Sequence, residues 1–74
     1  MATETKKDKF KRIANLRVNN TLKQIELIGN LSNQSLYEYT SDDLKKILGT
    51  LNEKIKEVES RFKKEMNKKN RFSL

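Results

Sequence analysis

GNLSNQSLYEYTSDD, residues 29–43, is the stretch on which the reading of the chain turns. It contains no Lys or Arg, although the whole chain holds 17 of them. A long helical pattern lies on each side of it, and the two patterns mirror each other. Gly29 is placed to close the first helix, because a residue just past a helix end often takes a positive φ, which Gly adopts at no steric cost. Asn30, Ser32, Asn33, Gln34 and Ser35 are turn formers that bond to nearby backbone groups. Thr40 is the expected cap of the second helix. Its hydroxyl can accept from the amide of Asp43, and Asp43 can answer as in a capping box. Ser41 is the competing cap, and Asp42 and Asp43 suit the positive end of the helix dipole. Leu31, Leu36, Tyr37 and Tyr39 set the stretch apart from a flexible linker, which has no use for them. They either cover the end of a helical hairpin or form an aromatic contact patch for a partner. Tyr37 and Tyr39 share a side if the segment is extended.

Upstream, Thr5 stands three residues before Asp8 and marks a helix start. Phe10, Ala14, Val18, Leu22, Ile25 and Ile28 then define one face of a helix over about residues 6–28. Ile13, Leu16 and Leu27 fall on a far flank, so the apolar arc is wider than one neighbour requires. That flank is covered either by residues 31–39 or by another chain. Downstream, Leu44, Leu48, Leu51, Ile55, Val58 and Phe62 alternate steps of four and three, as in a coiled-coil seam. Ile47 widens the stripe near its start. The outer face carries acid-before-base pairs: Asp42 with Lys46, Glu57 with Arg61, Glu59 with Lys63, and Glu65 with Lys69. That order is the favourable one on a helix, worth about 0.2–0.5 kcal/mol per pair. One helix over about residues 41–69 is expected, followed by a short tail in which Phe72 and Leu74 continue no stripe.

The two apolar spans, Phe10 to Ile28 and Leu44 to Phe62, are equal in length. Folded at the turn, Ile28 meets Leu44 and Phe10 meets Phe62. The expected fold is therefore all-α: one domain over residues 1–74, an antiparallel two-helix hairpin with an ordered turn at residues 29–40. Two helices alone bury too little surface at this size. The Ile13, Leu16 and Leu27 flank offers the remedy, a homodimer that forms a helical bundle.

Composition agrees with helices and argues against chemistry. The chain of 74 residues has no Pro and only two Gly, which permits long helices and leaves an all-β fold short of turns. With no Cys and no His, the commonest nucleophile, general base and zinc ligands are missing. Glu53 and Glu57 share a helix face but sit amid Lys54 and Lys56, the usual setting of solvated carboxylates. No phosphate-cradling Gly loop occurs. A non-enzymatic protein with no cofactor and no metal is expected. No apolar run approaches a membrane span and no signal-peptide pattern is present, so a cytoplasmic location is expected.

The charge is the sharpest functional signal. The chain carries +7 overall. Residues 6–17 hold Lys6, Lys7, Lys9, Lys11, Arg12 and Arg17 against Asp8, a net of +5. Residues 60–71 hold Arg61, Lys63, Lys64, Lys68, Lys69 and Arg71 against Glu65, again +5. A hairpin brings these segments together at its open end, away from a mildly acidic turn. Cations near the C-terminus of the second helix also complement its dipole and aid solubility, whereas those near the N-terminus of the first oppose its dipole. Such a pole neutralises phosphates, so DNA or RNA is the expected partner. Lys9, Lys11, Arg12, Arg17, Arg61, Lys63, Lys64, Lys68 and Arg71 are the candidate contacts. The turn is too long for a helix-turn-helix, so sequence-specific readout is not expected.

The run RVNNTLKQIELIGNLSNQSLYEYTSDDLKKIL, residues 17–48, resembles a family of very small bacterial proteins. In that family a helix ending in Leu-Ile-Gly-Asn-Leu-Ser-Asn precedes a Tyr-x-Tyr-Thr run and a second helix ending at an aromatic position. Leu27, Ile28, Gly29, Asn30, Leu31, Ser32 and Asn33 match the first run. Tyr37, Tyr39 and Thr40 match the second, and Phe62 the last position. The resemblance implies a bacterial protein, Gram-positive, of the kind carried on phages or mobile elements, and it implies no activity. Because its motif is the turn, it favours a structural or protein-binding role for Tyr37 and Tyr39. The alternative function is accordingly an interaction module that inhibits or adapts a host protein through Ile13, Leu16, Leu27, Tyr37 and Tyr39. A basic amphipathic helix lying on a membrane is the weaker reading, since no Trp sits at the polar boundary.

Overall fold

The computed structural model describes residues 3–68, and these are helical apart from the turn and a short N-terminal lead, with no strand among them. The chain divides into two units, Met1–Glu38 and Tyr39–Leu74. The first contains α1, Lys6–Gly29, and the second α2, Ser41–Lys68. The all-α expectation therefore holds.

α1 begins where the capping signal puts it. Thr5 is extended, at φ −76° and ψ 165°, and its hydroxyl accepts from the amide of Asp8 at 3.1 Å. One of the orphan N–H groups of the first turn is thereby satisfied. The lead before the helix is tied down as well: Glu4 takes a two-pronged hydrogen bond from the Arg12 guanidinium, at 2.8 and 3.1 Å. Along the helix Thr21 donates its hydroxyl back to the carbonyl of Arg17 at 2.8 Å, which keeps the side chain from competing for a non-helical backbone.

The end of α1 departs from expectation. Gly29 is not a left-handed cap. It is the last helical residue, with right-handed φ −59° and ψ −31°. The chain runs on into a 3-10 turn at Asn30–Ser32, and the Asn30 N–H points back to the carbonyls of Glu26, Leu27 and Ile28. Tightening the last turn satisfies the free carbonyls by itself, so no positive φ is needed. Asn33 then reverses the chain locally. Its carbonyl accepts from Leu36 and Tyr37 at 3.1 and 3.0 Å, and its side-chain oxygen accepts from Ser35 at 2.9 Å. Asn33 thus plays the role expected of the turn formers, in an Asx-type turn.

α2 opens with the full capping box. The Thr40 hydroxyl accepts from the Asp43 amide at 3.1 Å, and the Asp43 carboxylate accepts from the Thr40 amide at 2.9 Å. Ser41 is therefore the first helical residue and not the cap. The outer-face pairs form only in part. Glu59 reaches Lys63 at 3.6 Å as expected. Glu57 instead meets Lys54, three residues earlier, at 2.7 Å, and Glu65 meets Lys68 at 3.5 Å. Asp42 and Lys46 make no ion pair, and Lys69 lies outside the described residues. Neighbours three and four apart are equally within reach on a helix, so these exposed pairs settle by rotamer and not by sequence order.

Neither unit buries a described residue. Ile13, Ala14, Ile28 and Leu51 are half-buried; the remaining stripe residues are exposed, Phe62 and Leu48 by about half. The apolar residues of α2 fall on one side of the helix. Those of α1 are spread over a wide arc that includes Leu16 and Leu27.

Candidate nucleic-acid interface

Two helix ends carry the expected cationic contacts. In the first unit the opening turns of α1 present Lys6, Lys7, Lys9 and Lys11, with Arg17 two turns further on. None of these five has an ion-pair partner among the described residues. Positive charge is unfavourable at a helix N-terminus, and here only Asp8 in the first turn offsets it. Arg12 is the exception: Glu4 holds it, and both groups remain exposed. The Arg12 hydrogen bond keeps the Glu4 carboxyl below its ordinary range. Glu4 escapes a reading by periodicity, because it lies outside the helix and eight residues from its partner.

In the second unit the last turns of α2 carry Arg61, Lys63, Lys64 and Lys68. Lys64 has no ion-pair partner among the described residues, whereas Lys63 and Lys68 hold Glu59 and Glu65 at long distances of 3.6 and 3.5 Å. Separations of that size, with both members exposed, are weak tethers that a phosphate can displace. Arg61 lies in the field of Glu57, whose carboxyl is lowered first by its hydrogen bond from Lys54 and last by Arg61. Arg71 lies outside the described residues. Lys63, Lys64, Ser60, Asn67 and Lys68 together line a shallow open hollow on the helix surface.

The alternative contact residues are placed as follows. Ile13 is half-buried, while Leu16 and Leu27 are about three-fifths exposed on α1. Leu36 is 72% exposed and Tyr37 47%, at the end of the first unit. Tyr39 belongs to the second. Among the described residues no three carboxylates gather as they would around a cation, and no helix is long and apolar enough to cross a membrane.

No family model, curated protein or solved structure matches the chain. The reading of function therefore rests on its own residues.

Proposed function

We propose that this chain is a small basic helical protein that binds nucleic acid through phosphate contacts. In this reading α1 and α2 fold into an antiparallel hairpin, with Ile28 against Leu44 and Phe10 against Phe62. Two hairpins join into a bundle, with the Ile13, Leu16 and Leu27 flank among the covered surfaces. The open end of each hairpin then carries both basic segments. Support for the packing comes from the exposed stripes, since neither helix is stable in water on amphipathic pattern alone.

One observation carries the functional reading: two segments of net +5, most of whose described cations have no carboxylate partner among the described residues, occur in a chain with no His or Cys. Cations left without partners are available to replace the counterions of a phosphate backbone. The reading is non-specific duplex or RNA binding, because no element has the form of a groove-reading helix pair.

The test is a titration of the purified chain with mixed DNA and RNA fragments across a salt series. With about six phosphates neutralised, affinity falls roughly 10³-fold between 50 and 200 mM salt. A variant carrying Lys63→Glu, Lys64→Glu and Lys68→Glu binds far more weakly and with a flatter salt slope. No binding at low salt would overturn the reading and direct attention to protein partners of Leu36, Tyr37 and the α1 flank. Binding that ignores salt would also overturn it, because an apolar interface is not screened.

A further inference from the structure

The stripe of α2 holds a second piece of information. Leu44, Leu48, Leu51, Ile55, Val58 and Phe62 are spaced symmetrically about Glu53, and each is left exposed or half-exposed within its unit. The charge on the same helix is not symmetric. Residues 41–53 carry Asp42, Asp43 and Glu53 against Lys45 and Lys46, a net of −1. Residues 54–68 carry Lys54, Lys56, Arg61, Lys63, Lys64 and Lys68 against three Glu, a net of +3.

We infer that in the proposed bundle the α2 stripe faces, beside the α1 of its own hairpin, a second copy of α2, lying antiparallel about a two-fold axis at Glu53. Inversion places Leu44 opposite the partner's Phe62, Leu48 opposite the partner's Val58, and Leu51 opposite the partner's Ile55. All the layers are apolar, and each pairs a Leu with a different side chain. Spacing alone allows the parallel arrangement too. Charge separates the two. Parallel helices set +3 beside +3 and align their dipoles. Antiparallel helices set the −1 half of each beside the +3 half of the other and oppose the dipoles. At positions flanking the seam, Lys45 faces the partner's Glu59 on both sides of the axis. Lys54 faces the partner's Lys54 across the axis, a repulsion reduced because Lys54 already holds Glu57 at 2.7 Å.

The arrangement bears on the proposed function, on which this last step rests. α2 is 28 residues long, so at about 1.5 Å per residue its basic ends lie ~40 Å apart in the dimer, at opposite poles. That distance is about five screening lengths at physiological salt, so the two poles do not repel each other appreciably. The dimer is then bivalent and can bridge two stretches of nucleic acid.

The chain has no Cys, which allows single nitroxide labels to be placed in the full-length protein at Asn67→Cys and, separately, at Asn52→Cys, both exposed polar positions of α2. Pulsed dipolar spectroscopy reads the separation in each dimer. The antiparallel dimer gives about 40–45 Å or more at position 67 and under about 20 Å at position 52. A separation under about 25 Å at position 67 would show parallel helices and overturn the inference. Absence of dipolar coupling at both positions would overturn it as well, by showing that α2 does not pair with itself. Nucleic-acid binding is read in the separate salt titration, so either proposal can fail without the other.

Discussion

α1 and α2 are helices of similar length built on different plans. α2 keeps its apolar residues to one side, opens with a reciprocal capping box, and answers three of its carboxylates, Glu57, Glu59 and Glu65, with Lys three or four residues away. α1 spreads its apolar residues over a wide arc, opens with a single cap bond, and leaves six cations without an ion-pair partner among the described residues, Lys6, Lys7, Lys9, Lys11, Arg17 and Lys23. A narrow stripe turns one side of the helix to its neighbours, whereas a broad arc needs cover on more than one side. In the proposed assembly α2 is the organising helix, and α1 has the larger number of cations without an ion-pair partner among the described residues.

The largest expected effect comes from Leu51→Asp, at the middle of the α2 stripe. A carboxylate there is desolvated without a partner and costs the assembly about 3 kcal/mol or more. Sedimentation should show monomers and circular dichroism a loss of helix. Leu16→Asp, on the α1 flank, should shift the chain toward monomers while retaining most helix. Equal loss of helix in both variants would erase the distinction between the two helices.

Next in size are the caps. Thr40→Ala removes one half of a reciprocal pair and should cost about 1–2 kcal/mol, while Thr5→Ala removes a lone bond and should cost about 0.5–1 kcal/mol. Thermal melts of the two variants would break the comparison if Thr5 proved the costlier. Gly49 lies inside α2, and a methyl group there meets nothing within 4 Å. Gly49→Ala should therefore raise stability by about 0.8–1 kcal/mol. Gly29→Ala, equally unobstructed but at the last residue of α1, should gain less.

The smallest effect is in the acid range. Glu4 and Glu57 are both lowered by a hydrogen bond from a cation, Arg12 and Lys54 respectively. A carboxyl lowered on folding contributes above its unfolded value of about 4.3, and the contribution fades as pH falls through the lower folded value. Carboxyl titrations followed by NMR should place both groups below a reference Glu. A midpoint for Glu4 at or above the reference would show that the lead of α1 is not tied to Arg12 in solution.

Much of this was legible in the residues. Thr5 with Asp8 and Thr40 with Asp43 marked both helix starts, with Ser41 as a competing cap of the second, because a cap is a local bond between side chain and backbone. Asn33 was recognisable as a turn former for the same reason. The candidate contacts were legible as charge, but their pairing was not. Arg12 found Glu4 across eight residues, beyond any helical period, and Glu57 took Lys54 where Arg61 lay equally within reach.

The sequence by itself determined that the described chain is all-α, where its two helices start, and which side of α2 is apolar. These follow from backbone propensity, capping and periodicity, each of which acts over a turn or less. Only the folded structure decided how α1 ends, with Gly29 right-handed and running into a 3-10 turn, and which carboxylate each cation holds. Those outcomes are choices between local geometries of nearly equal energy, and a choice of that kind is made by the three-dimensional positions of neighbouring groups, not by their order along the chain.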